Sequence, residues 1–189
     1  MTYIGIFENC DITVGVFIVS GKARLPLHNH PMMHGILKII HGTLNLSCYN
    51  KIHQPDMNQH HVPDALKRRT DLIERGYVVP TLPMLSNVSM SSASYPLILS
   101  PEKDNYHEIC NPSNQPAAFL DILSPPYNHG EPDLDGAGDL EKRKCQYFKK
   151  IHFPLESEIE KKIAWLQMIE KPPDFYCDTE PYRGPTIDL

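Results

Sequence analysis

An all-β barrel or jelly roll closed by one C-terminal helix is the fold this sequence predicts. Three observations carry that reading. Short apolar, β-branched runs recur along the chain, among them ITVGVFIVS, GILKII, TLNLSCY and AAFLDIL, and such residues suit a pleated, half-buried surface. Eighteen prolines in 189 residues interrupt the chain every few positions and leave room only for short elements. No βα alternation repeats, which argues against a doubly wound parallel sheet.

The elements follow in order. Met1 to Ile6 enters a strand-like run at once, without the layout of a secretory leader. Ile12–Ser20, Gly35–Ile40, Thr43–Tyr49, Val88–Ser94, Leu97–Ser100 and Ala117–Leu123 read as strands. His41-Gly42, between two of these runs, reads as a tight hairpin turn. Lys51–Pro83 is polar and irregular, an insertion with one short helix that begins near Pro63 and stops at Gly76. Asn128–Asp139 is an acidic loop. Ile159, Ile163, Leu166 and Ile169 recur at helical spacing, so Glu156–Ile169 reads as an amphipathic helix lying on the sheets, with Trp165 as a core contact. Pro181–Pro185 belongs to neither a helix nor an inner strand. One domain is expected over residues 1–189, with 51–83 a variable insertion and 154–189 the C-terminal helix and tail.

Composition narrows the function. A net charge of −5 recruits neither nucleic acid nor an acidic membrane surface. The longest apolar stretches are too short to span a bilayer. Five scattered cysteines (Cys10, Cys48, Cys110, Cys145, Cys177) with no CxxC fit reduced thiols in the cytoplasm and argue against a thiolate zinc finger.

The chemistry concentrates in Leu25-Pro26-Leu27-His28-Asn29-His30-Pro31-Met32-Met33-His34-Gly35. On a strand, residues i and i+2 share a face about 6.6 Å apart. His28 and His30 in that register make half of a metal site, since metal–nitrogen bonds are each roughly 2 Å. Four residues of strand would put His34 about 13 Å from His30, too far to share one ion. Seven of the ten histidines lie between residues 28 and 61, so the third ligand must be chosen by position. His60 and His61 fall in the polar insertion and His129 in the acidic loop, poor places for a rigid ligand. His107, in Asp104-Asn105-Tyr106-His107-Glu108-Ile109, follows a strand and turn and is better placed; His152 stays open on spacing alone.

The segment from His28 to Thr43 resembles the first metal motif of the thiol dioxygenase family, the group of cysteamine (2-aminoethanethiol) dioxygenase and the plant cysteine oxidases. The resemblance recurs at Asp104–Ile109, Ala118–Tyr127, Cys145-Gln146-Tyr147, and Asp174–Cys177 leading to Pro181–Pro185. Five motifs in order are more specific than any one of them. Lys51–Pro83 is not covered.

This resemblance implies a cupin (double-stranded β-helix) barrel holding Fe(II) on His28, His30 and His107, with His34 a pocket or structural residue. It implies no carboxylate ligand, because Met33-His34-Gly35 stands where many cupins place a glutamate. Asp121, in Phe119-Leu120-Asp121-Ile122-Leu123, and Tyr127 are implied to face the iron pocket. Alternation alone leaves Asp121 equally at home on the solvent face, and Tyr127 equally at home packing a turn. Cys145 and Tyr147 share a strand face, and in some members such a pair forms a thioether. Asn29 stands where close relatives often have aspartate, and Met32 where glycine is common.

The implied function is an oxidation by O₂ of a terminal 2-aminothiol, the N-terminal cysteine of a protein or peptide or cysteamine, to a sulfinic acid. A monomeric enzyme, sensing oxygen through N-degron chemistry, is the reading that follows. Two rivals are a cupin isomerase or hydrolase using another divalent metal, and a non-catalytic binding module.

Overall fold

A computed structural model describes residues 1–53, 62–127, 143–153 and 162–185 of the chain. Twelve strands order the described residues. They are β1 (Thr2–Glu8), β2 (Thr13–Val19), β3 (Arg24–Asn29), β4 (His34–His41), β5 (Thr43–Lys51), β6 (Val78–Ser91), β7 (Leu97–Leu99), β8 (Tyr106–Cys110), β9 (Ala117–Ser124), β10 (Tyr147–Ile151), β11 (Ala164–Ile169) and β12 (Asp178–Pro181). Among the described residues two short helices, α1 (Asp64–Lys67) and α2 (Thr70–Glu74), lie between β5 and β6.

The strands form two layers. One is a six-stranded sheet in the order β12-β1-β2-β9-β4-β7; the other is a closed ring, β10-β11-β6-β5-β8-β3. All pairs are antiparallel except β1 with β12. Val19, Leu37 and Phe119 of the sheet pack with Leu25, Leu46 and Ile109 of the ring in one buried cluster. Inside the ring a second cluster draws on every strand: Leu27, Tyr49, Val79, Tyr106, Phe148, and both Ala164 and Leu166. The arrangement is the all-β cupin barrel expected, and burial between layers is its main stabilisation.

Three expectations need correction. His41-Gly42 is not a hairpin turn, because β4 pairs with β7 and β9 while β5 pairs with β6 and β8. The chain changes sheets there. Gly42 has φ +69, and a Cβ would stand 2.8 Å from the Ala117 Cβ, so both conformation and space require glycine.

The expected helix over Glu156–Ile169 is a strand in its last six residues, β11, and residues 154–161 lie outside those described. Two-sided burial explains the misreading. Ala164 and Leu166 join the cluster inside the ring, while Ile163 and Trp165 pack outside it with Leu66 of α1 and Val78. Apolar residues on both faces erase the alternation of a strand and leave a spacing that mimics a helix.

The insertion also ends earlier than Pro83, since Val78–Leu85 already pairs with β5 and β11. Within it, Pro63 precedes α1 and Gly76 follows α2 at φ +75, as the expected start and stop. The single expected helix is split in two at Arg68-Arg69, where Arg69 leaves helical geometry at ψ 39. The closing prolines agree with their reading: Pro181 ends β12, at the edge of its sheet.

Candidate metal centre

Strand register brings three histidines together. His28 on β3 stands opposite His107 on β8, and His30 follows β3 immediately. Their candidate ligand atoms all lie within 4.8 Å of one another. The ring centroids are 4.6 to 4.8 Å apart, and all three side chains are buried.

The hydrogen bonds select the tautomer. His28 Nδ1 is 2.8 Å from the Pro26 carbonyl and His30 Nδ1 is 3.0 Å from the Asn105 carbonyl. A carbonyl only accepts, so each Nδ1 carries the proton and each Nε2 keeps a free lone pair. Asn105 fixes His30 further: its Oδ1 accepts from the His30 N–H at 3.0 Å, and its Nδ2 donates to the His30 carbonyl. His107 Nδ1 is buried without a hydrogen-bond partner.

Burial keeps the imidazoles neutral. It lowers His28 to about 4, and it lowers His30 to about 3 with added repulsion from His28. His107 is held well below the usual imidazole range by burial and then by its two neighbours. Neutral, converging imidazoles with free Nε2 lone pairs and one unsatisfied buried nitrogen fit a divalent metal. Among the described residues no carboxylate belongs to the group, so a dication held by these three alone would keep its full charge.

The three histidines line a cavity of about 600 Å³ whose far wall comes from the other sheet. Alternation along β9 sends Phe119, Asp121 and Leu123 into that cavity. Asp121 therefore faces the pocket and not solvent. Its Oδ1 has no partner, and burial raises its carboxyl to about 7. Asp121 stands opposite Gly15 of β2. A Cβ on Gly15 would fall 2.3 Å from the Tyr3 ring, so glycine there leaves room for Tyr3 over β2. From Tyr3 an aromatic row runs inward through Phe17 (centroids 4.8 Å) to Phe119 (5.0 Å, stacked).

Tyr127, Cys145 and Tyr147 complete the lining. The Tyr127 hydroxyl donates to the Asn29 carbonyl at 2.7 Å. Its proton is thus committed, and only its lone pairs face other groups. The Cys145 sulfur lies within hydrogen-bonding reach of both the Tyr127 and Tyr147 hydroxyls. Burial raises the Cys145 thiol to about 11.

Other candidates fall elsewhere. His34 is exposed at the start of β4 and does not line the cavity. The pocket role implied for it by resemblance is not met, because Pro31-Met32, with Met32 at φ +57, turns the chain before β4. His152 is exposed beyond β10. His60, His61 and His129 lie outside the described residues. Sequence reasoning missed Asn105, Tyr3 and Gly15, and it left Cys177, which also lines the cavity, without a place. Asn105 gave one signal, as a polar residue beside a candidate ligand; Tyr3 gave none, since its place depends on a glycine in another strand.

The PCO_ADO family model matches residues 1–187. The chain is 35% identical to 2-aminoethanethiol dioxygenase of Homo sapiens, over 99% of this chain and 68% of that one. It is 28% identical to plant cysteine oxidase 1 of Arabidopsis thaliana, over 100% of this chain and 59% of that one. Among solved structures it is similar to a double-stranded β-helix protein from Klebsiella pneumoniae (TM-score 0.35, 16% identity, 64% and 73% of the two chains). It is also similar to the Cnp3 cupin domain of Schizosaccharomyces pombe (TM-score 0.37, 11% identity, 66% and 64%). With a family model covering nearly its whole length and a relative above 30% identity, the chain belongs to the PCO_ADO family of thiol dioxygenases.

Proposed function

We propose that this protein is an Fe(II)-dependent dioxygenase that converts the thiol of a terminal 2-aminothiol to a sulfinic acid. The observation that carries the proposal is the pairing of a three-histidine centre, with no carboxylate in it among the described residues, with the unpartnered Asp121 carboxyl across the same cavity. Held by His28, His30 and His107, Fe(II) supplies a dication that favours thiolate and the one-electron chemistry that O₂ requires.

The chain's own residues then divide the work. His28 and His30 hold their Nε2 lone pairs free because their Nδ1 protons are spent on carbonyls, and His107 adds a buried nitrogen without a protein partner. Asp121, whose carboxyl burial raises to about 7, gives its proton to solvent water as a substrate ammonium arrives, since a cation favours the charged carboxylate. That ion pair orients the amine of the H₂N–C–C–SH unit. The aromatic row from Tyr3 to Phe119 excludes water from it. A cavity of about 600 Å³ far exceeds the few atoms of cysteamine, which favours an N-terminal cysteine with following residues. Oxidation of such a residue would report O₂ through N-degron chemistry, and five free cysteines fit the reducing cytoplasm that this role needs.

The test is anaerobic Fe(II) loading, then mass spectrometry of a Cys-initiated peptide and of cysteamine with and without O₂. An O₂-dependent gain of two oxygen atoms on sulfur is expected, faster for the peptide. Bound iron with no oxidation of either substrate overturns the assignment; activity with zinc or without O₂ moves the chain to another cupin chemistry.

A further inference from the structure

Asn29 lies between the two ligands at the end of β3, is 5% exposed, and meets Gln146 and Tyr127 through four hydrogen bonds, while its side chain also reaches the Tyr106 hydroxyl. Its N–H donates to the Gln146 carbonyl at 3.2 Å, and the Gln146 N–H donates to Asn29 Oδ1 at 3.0 Å. Asn29 Nδ2 donates to Gln146 Oε1 at 2.8 Å, and the Tyr127 hydroxyl donates to the Asn29 carbonyl at 2.7 Å. The place matters because the ring of six closes here. β10 and β3 share a single register pair, Tyr147 with His28, whereas β10 and β11 share five. A seam of one pair needs other bonds to hold it.

We propose that the Asn29–Gln146 amide pair is the clasp of this seam and the positioning element of the metal centre. It ties the ligand end of β3 to the Cys145-Gln146-Tyr147 segment. The spread of His28 and His30 and the depth of Cys145 and Tyr147 in the cavity are therefore set together. The inference rests on the metal-centre reading above and goes beyond it by assigning residues that touch neither metal nor substrate. The pair is matched. An aspartate at position 29 would lack the N–H that meets Gln146 Oε1. Two amides also carry no charge, so the clasp does not titrate.

Cobalt(II) and Fe(II) affinities, by anaerobic competition with a chelator, test this without reliance on turnover, and the Co(II) absorption spectrum reads ligand geometry. Gln146→Ala is expected to weaken metal binding by roughly tenfold to 100-fold and to shift the Co(II) bands. In the oxidation assay kcat should fall more than KM rises. Asn29→Asp and Gln146→Glu each keep one donor facing one acceptor, the first by turning the Gln146 amide over, and each is expected within about threefold of the parent. The double variant sets two carboxylates face to face, and its loss should exceed the product of the two single losses by about tenfold or more. Additive losses, or parental Co(II) affinity and spectrum in Gln146→Ala, overturn the proposal. If Gln146→Ala does not fold, the conservative series still decides it. A parent protein that binds neither metal defeats the metal-centre reading first, which separates the two failures.

Discussion

The two walls of the cavity are built on opposite principles. On the ring side nearly every polar group is spent: Nδ1 of His28 and His30, Asn105 and Asn29 all have protein partners, His107 Nδ1 excepted. On the sheet side Asp121 stands in an apolar, aromatic wall with Oδ1 unpartnered. The ring wall is rigid before anything binds, and the sheet wall waits for what binds. Such a division suits a site that keeps a metal through many turnovers and exchanges its substrate in each.

The most severe break is expected on the ring wall. His107→Ala should abolish stoichiometric iron and with it all turnover while near-ultraviolet dichroism stays native. Iron retained at one equivalent would place the third ligand elsewhere. The matching break on the sheet wall is Asp121→Asn. It should lower kcat/KM by about 100-fold, roughly 2.7 kcal/mol, with metal content unchanged; an unaltered rate would return Asp121 to a structural role.

Proton linkage sharpens the contrast because the walls have opposite signs. The ring histidines are lowered in the folded protein, His28 to about 4 and His30 to about 3, against 6.5. The unfolded chain thus binds their protons more readily, and the metal-free protein should lose stability as pH falls below about 6.5. Asp121 is raised to about 7 against 3.8. Its contribution is whole below about pH 4 and is lost as pH rises through 7. Urea unfolding of metal-free Asp121→Asn should therefore show a gain of about 2–4 kcal/mol over the parent at pH 8, vanishing near pH 4. Equal gains at both pH values would show that the carboxyl is not protonated by burial. The smallest effect is expected at the corner between the two layers. Gly42→Ala should cost about 1–2 kcal/mol, with parental metal affinity, because the corner joins the walls and belongs to neither.

What the sequence made legible follows the same division. The ligands were readable because a strand repeats every two residues, so His28 and His30 announce a shared face from two letters. His107 was favoured by its setting and needed the β3–β8 register to be placed. Asp121 was undecided by alternation, since only the second layer tells which face of β9 is inside. The corner at Gly42 was misread because a glycine between two apolar runs looks alike whether the strands pair or part. β11 was misread because covering both faces of a strand removes its period. Local spacing records local geometry, and these misses are facts about which layer covers which face.

The one-pair seam between β3 and β10 also governs the order in which the molecule can be made. His30 meets Asn105 across 75 residues of chain, and Asn29 meets Gln146 across 117. A ribosome that has released the HxH motif has therefore released a pair of imidazoles with no cage around them. The cage closes only when β10 has emerged and crossed back to β3, a late and entropically costly event. A metal would thus enter a finished cup and not nucleate it, and a chain ending before Gln146 would carry all three histidines yet hold them open to solvent.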